Sequence, residues 1–307
     1  MQEGSRKAII AAFFANLGIA VAKFVGFVIT GSAGLLAEAG HSLADTGNQA
    51  LLMFGGKRAR RAPDEQHQFG YGNERYFWAF VVALVLFSMG GLFALYEGIQ
   101  KLRHPHTADS IGVAIGILFA AVALESFSLR TAVKEVRHLK PAEMSYWRFI
   151  RTSKNPELPI VLLEDVGAEI GLVFALFGVM MTSITDNPRW DAVGSVAIGV
   201  LLVIIACILA VRMKALLIGE SAMPADQDAI VAALTASPAV ERVIHIRTLY
   251  FSPEELMVAA KLAFAPDMSV AELASAVDEA EAAVRASCAA VSLIYIEPDL
   301  YRSPAAP

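Results

Sequence analysis

Runs of roughly twenty mostly apolar residues dominate this sequence, and a helix of that length spans the hydrocarbon core of a bilayer, about 30 Å thick. Six such stretches are present, at 8–30, 33–55, 76–99, 110–133, 158–183 and 191–213. Backbone polar groups cannot stay unpaired in lipid, so stretches of this kind fold as helices. Composition agrees, with 56% of the 307 residues hydrophobic and 18% charged, where a soluble domain carries about a quarter charged residues. That surplus excludes a disordered chain. Cys207 and Cys288 have no ligand spacing and make no disulfide framework. A net charge of −5 argues against a nucleic-acid partner. The expectation is an α-helical membrane protein with six transmembrane helices in a lipid bilayer.

Charge in the short loops sets the orientation. Lys57, Arg58, Arg60, Arg61 and Arg75 follow the second stretch, and Lys134, Arg137, Lys140, Arg148, Arg151 and Lys154 follow the fourth. The Gly31-Ser32 link is uncharged, and the link from Asp186 to Trp190 carries only Arg189. Positive loops stay on the cytoplasmic side, and an even number of crossings puts both termini there. Lys101 and Arg103 blur the third link slightly, and His104 and His106 beside Pro105 read as solvated loop residues. Arg6 and Lys7 precede an apolar stretch much longer than a signal-peptide core, so it reads as a true span. No Arg- and Ser-rich stretch opens the sequence, which favours a bacterial inner (cytoplasmic) membrane over an organelle.

After Arg212 the texture changes. The expected division is a six-span domain over 1–213, a small cytoplasmic α+β domain over 214–301, and a tail over 302–307. Pro224 fits the first turn of a helix with Ile230, Val231 and Leu234 on one face. Ile244 and Ile246 alternate with His245 and Arg247, as in a half-buried strand. Leu256, Val258, Ala260, Leu262 and Phe264 repeat that period behind a Ser252-Pro253 turn. Ser269 and Glu272 form a capping box that opens a helix with Leu273, Val277 and Val284 inward. Val291 to Ile296 is a last strand, stopped by Pro298. The order is αββαβ.

Ionisable residues inside the spans carry the chemistry, because a charge there costs about 2.5–3.5 kcal/mol on insertion scales and faces a cavity or a partner. Glu38, His41 and Asp45 lie in the second stretch. His41 and Asp45 are four apart and stack on one helix face, with Asn48 a turn further on. A nitrogen and a carboxylate at that spacing can share a divalent ion; the plainer alternative is a buried His–Asp hydrogen bond between helices. Asp165 and Glu169 repeat the spacing in the fifth stretch, while Glu164 points about 100° away. These acids either neutralise a cation or sit partly solvated near the cytoplasmic end, where Pro156 and Pro159 begin the span. Glu125 in the fourth stretch is a proton relay or gate, or a partner of Arg130. Lys23 snorkels or pairs with a neighbouring span, and Asp191 fits a helix N-terminal acid beside an interfacial Trp190.

The stretch Gly31-Ser32-Ala33-Gly34-Leu35-Leu36-Ala37-Glu38-Ala39-Gly40-His41-Ser42-Leu43-Ala44-Asp45 resembles the second span of the cation diffusion facilitator family. The run Pro63-Asp64-Glu65-Gln66-His67-Gln68-Phe69-Gly70-Tyr71-Gly72 resembles the loop entering its third span. Tyr71 to Trp78, with Leu163-Glu164-Asp165, is most similar to the zinc-transporter-nine-like branch. The resemblance covers nearly the whole chain. It implies a homodimeric, proton-coupled exporter of divalent metal, usually zinc, with a ferredoxin-like cytoplasmic domain. His41 and Asp45 match the second-span ligands. Counted back from Asp191, Asp165 and Glu169 match the fifth-span pair, with Glu164 a rival for either place.

One imidazole of the family pattern is here a carboxylate, so the set of His41, Asp45, Asp165 and Glu169 also admits manganese, iron or cobalt. In the loop, Asp64 and His67 match a family metal site whose second His is Tyr71 here, so that site is expected to be weak or absent. The tail has only His245 near Tyr295 and Glu297, too few for a family-like sensing site. No cofactor is implied beyond the transported cation, with zinc favoured. The reading is alternating access in which protons compete with metal for ligands that include an imidazole, a group titrating near about pH 6.5 when unperturbed. The rival is a membrane-anchored metal sensor or scaffold without transport. An enzyme is not expected, since no His-Glu-x-x-His motif or paired nucleophile is present.

Overall fold

The structure is a computed structural model describing residues 3–105 and 111–301. His106 and the 302–307 tail lie outside the described residues. Two compact units emerge, Met1–Arg58 with Glu74–Lys214, and Ala59–Asn73 with Ala215–Pro307.

The first unit is helical. Its elements are α1 (Glu3–Thr30), α2 (Ala33–Arg58), α3 (Glu74–Val85), a π-helical segment (Leu86–Leu92), α4 (Phe93–Arg103), α5 (Ile111–Leu139), the short α6 (Tyr146–Thr152), α7 (Glu157–Thr185) and α8 (Arg189–Ile218). Among the described residues, Glu74–Arg103, Gly112–Leu139 and Arg189–Ile218 are long and apolar enough to cross a membrane. Local chemistry sets the ends. Gly31, at φ 64, ends α1 in the left-handed region that glycine adopts without penalty. Asn155 accepts hydrogen bonds from the Glu157 and Leu158 N–H groups through Oδ1 and so starts α7. Asp186, at φ 53, closes it.

The π-helical segment interrupts the third apolar stretch. Gly90 and Gly91 lie in it, and a Cβ on Gly91 would sit 3.1 Å from the Val203 backbone nitrogen of α8. Further along, a Cβ on Gly98 would meet the Val196 nitrogen at 2.8 Å, and one on Gly199 the Leu95 nitrogen at 2.7 Å. α4 and α8 therefore touch backbone to backbone along small residues, as membrane helices do when lipid supplies no hydrophobic drive.

Asp191 lies in the first turn of α8, as expected, and it is also 2% exposed and reaches another helix. Its carboxylate accepts hydrogen bonds from Ser32 Oγ at 2.9 Å, Ala33 N at 2.8 Å and Gly34 N at 3.4 Å, at the start of α2. Lys101 of α4, read from sequence as a loop charge, is 3% exposed and donates to Asp191 at 3.0 Å and to the Gly31 carbonyl at 2.6 Å.

The second unit contains α9 (Pro224–Ala236), β1 (Val240–Ser252), β2 (Glu255–Phe264), α10 (Val270–Ser287) and β3 (Val291–Asp299). β1 and β2 pair antiparallel, and β2 and β3 pair parallel across the α10 crossover. Leu256, Val258, Ala260, Leu262 and Phe264 alternate into the core, each at most 3% exposed. Ile230, Leu234, Ala276, Ala280 and Val284 close over them. The Ser269–Glu272 capping box is present. Pro298 does not stop the last strand, which runs on to Asp299. β3 lies at the sheet edge, where a missing N–H breaks no ladder bond. The loop 59–73 belongs to this unit: Phe69 stacks on Phe251 at 5.4 Å, and Gly72 leaves no room for a Cβ against the Phe251 carbonyl, 2.8 Å away.

Gly199→Val is expected to force α4 from α8 and to cost about 1–3 kcal/mol, read as a lower melting temperature in detergent. Ser269→Ala removes one cap and costs about 1 kcal/mol, read in the same assay.

Candidate metal-transport site

α2 carries the polar residues expected from its sequence, and burial is where they become expensive. His41 is fully buried and Asp45 is 9% exposed. Their Nδ1 and Oδ1 atoms are 3.5 Å apart. Neither imidazole nitrogen, nor Asp45 Oδ1, has a hydrogen-bond partner in satisfactory geometry among the described residues. The alternative of a buried His–Asp hydrogen bond is therefore not made in good geometry, and Asp45 Oδ1 is left without a donor. The Glu164 backbone of α7 lies beside the imidazole.

The α7 acids divide between two neighbours. Glu164, 4% exposed, accepts a 2.6 Å hydrogen bond from Asn48 Nδ2 and so faces α2. Asp165 accepts from Ser128 Oγ at 3.2 Å and Glu169 from Ser126 Oγ at 2.8 Å, both on α5. Glu169 Oε2 is left unpartnered. Through these bonds the α7 acids reach both α2 and α5, the helices that also carry Asp45 and Glu125. They do not yet converge. Among the described residues no three His, Cys, Asp or Glu side chains stand close enough to hold a metal ion.

Lys23 pairs rather than snorkels. It is 1% exposed and donates to Glu38 Oε2 at 3.1 Å, Ser42 Oγ at 2.8 Å and Glu125 Oε1 at 3.3 Å. Glu125 thus meets the Lys23 ammonium of α1, where the sequence offered Arg130 as its structural partner. A single lysine in an apolar run gives no hint of which acids it will reach, since those partners come from helices 15 and 102 residues away.

The loop residues lie in the second unit. Asp64 Oδ1 accepts the Gln66 and His67 N–H groups at 3.1 and 2.8 Å, and Oδ2 accepts the Tyr71 hydroxyl. That hydroxyl, helped by the His67 N–H, holds the Asp64 carboxyl below the usual carboxylate range. The His67 ring packs on Tyr71 at 4.4 Å. His245 is exposed on β1, paired with Lys261 on β2, whose ammonium engages Glu297 at 2.8 Å and Asp299 at 2.9 Å.

An imidazole, several carboxylates and an ammonium buried within long apolar helices define a membrane protein that handles charge inside its bundle. The chain belongs to the cation efflux family: residues 9–218 match the cation efflux transmembrane domain and 222–299 the cation efflux protein cytoplasmic domain. Members of this family are transporters. The chain is similar to the proton-coupled zinc antiporter SLC30A9, mitochondrial, of Xenopus laevis, at 36% identity over 244 residues, or 79% of this chain and 44% of that protein. The Homo sapiens protein of the same name is 35% identical over 224 residues, 73% of this chain and 39% of its own. The chain thus spans about two fifths of the length of these curated relatives. A solved MamM-CTD structure aligns with 26% of this chain and 94% of its own at 24% identity and TM-score 0.24.

Asn48→Leu strips Glu164 of its donor and leaves a carboxylate buried beside α2. The expected cost is about 1–3 kcal/mol, seen as a lower melting temperature than that of an exposed Asn→Leu control.

Proposed function

We propose that this protein exports a divalent metal cation, zinc above all, in exchange for protons, by alternating access around α2 and α7. The observation that carries this reading is the buried His41–Asp45 pair, with Asp45 Oδ1 left without a hydrogen-bond donor, beside an acid-bearing helix. Such atoms are costly in a low-dielectric interior unless a ligand visits them. Family membership supports metal efflux, and the zinc antiporters among its relatives support zinc and protons.

In this reading six helices cross the membrane, with both termini cytoplasmic, in a bacterial inner membrane, and the C-terminal domain joins two copies as a homodimer. The cargo binds the His41 imidazole and the Asp45 carboxylate on α2. Asp165 and Glu169 complete the set by exchanging their Ser128 and Ser126 hydrogen bonds for the ion. Glu164, already on the α2 side through Asn48, is the rival α7 ligand. Metal loading expels the protons these groups hold, and protons returning from the far side release the ion. Three carboxylates and one nitrogen also suit manganese, iron or cobalt. No cofactor beyond the cargo and no nucleic acid enters this scheme.

The test is metal flux into proteoliposomes under an imposed pH gradient, comparing Zn²⁺, Mn²⁺, Fe²⁺ and Co²⁺. Wild type is expected to carry zinc only with the gradient, and Asp45→Ala to abolish flux while keeping its melting temperature. Glu164→Gln against Asp165→Asn and Glu169→Gln then identifies the α7 ligands by which substitutions remove flux. No flux with any ion from folded protein would move the reading to a membrane-anchored metal sensor or scaffold.

A further inference from the structure

Lys23 fills an oxygen-lined place between α1, α2 and α5. Its ammonium has three donors, and each meets an oxygen, of Glu38, Ser42 or Glu125, within 3.3 Å. Those oxygens come from α2 and α5, and Glu38 and Glu125 are 0% and 6% exposed. Two carboxylates and a hydroxyl make an all-oxygen cradle, the donor set that hard cations prefer. Glu38 is also incompletely satisfied, since its Oε1 has no hydrogen-bond partner. That oxygen points to α7, where a Cβ added to Gly171 would lie 2.5 Å from it.

The cradle adjoins the candidate ion site. Glu38 lies one helical turn before His41, and Ser42 follows His41 directly on α2. Glu125 precedes Ser126, whose hydroxyl bonds Glu169 at 2.8 Å. An ion entering this interior therefore meets two neighbouring donor sets, one with an imidazole and one with oxygen alone. Only the second already holds a cation, tethered to α1.

We propose that Lys23 is a specificity-determining residue: its ammonium fills the oxygen-only cradle of Glu38, Ser42 and Glu125, withholding both acids from the transported ion. The ion is thereby confined to the set that includes the His41 nitrogen, which favours zinc over harder ions. The inference rests on the transport reading above and adds the element that selects the ion.

Flux of Zn²⁺ and Mn²⁺ in proteoliposomes tests it, with folding checked by monodispersity and melting temperature. Lys23→Gln is expected to raise the Mn²⁺-to-Zn²⁺ flux ratio by about tenfold, because two acids become available to manganese. Lys23→Arg, which keeps the charge, holds the wild-type ratio. Lys23→Gln combined with Glu38→Gln and Glu125→Gln brings the ratio back, since no acid remains in the cradle. If Lys23→Gln alone does not fold, Lys23→Gln with Glu38→Gln leaves one freed acid and is expected to raise the ratio as well. An unchanged ratio in the folded lysine variant, or a raised ratio that survives the triple substitution, overturns the proposal. Asp45-dependent flux with an unchanged ratio sinks this inference alone, whereas absence of Asp45-dependent flux in wild type removes the transport reading and this inference with it.

Discussion

A charge placed in a low-dielectric interior must find an opposite charge or a hydrogen-bond partner, and the helical unit is arranged around that demand. Lys23 draws together α1, α2 and α5 through Glu38, Ser42 and Glu125. Asp191 and Lys101 do the same for α2, α4 and α8. Asn48 and Glu164 join α2 to α7. Apolar packing between helices is nearly as good with lipid as with protein, so it selects partners weakly. The buried polar pairs select them strongly. α2 takes part in all three, and it is also the helix that carries His41 and Asp45.

The parts of this architecture that were legible beforehand are those governed by local periodicity. The long helices and the αββαβ order were readable because length and alternation report burial directly, as Leu256 to Phe264 illustrate. Pro298 misled because a proline's effect depends on whether its strand has a neighbour on that side, which is tertiary information. Lys101 was read as a loop cation for the same reason, and the position of Asp191 at its helix start gave no sign of the α2 amides and the lysine it reaches. A residue's own helix says where it sits along the membrane normal, not which other helix it faces.

The same limit explains the α7 acids. Spacing puts Asp165 and Glu169 on one face and Glu164 about 100° away, which is correct as far as it goes. It does not say which face looks at α2. In the structure Glu164 looks to α2, while Asp165 and Glu169 bond to serines of α5. Those serines carry no motif, so nothing in the sequence marked them as holders of the acids. Neither the imidazole nor Asp45 Oδ1 is engaged by them.

The carboxylate of Asp191 caps the first backbone amides of α2 from the start of α8, with the Lys101 ammonium of α4 on its other side. Three helices distant in sequence thus share one fastened corner, sealed from solvent. The far end of α2 is held too, by Arg58 on Glu74 at 3.0 Å and by Trp78 packed against Gly55, while Asn48 on Glu164 ties its middle to α7. His41 and Asp45 are thus presented from a helix pinned at its start, middle and end, so whatever changes their company on α7 must carry α2 along as one piece.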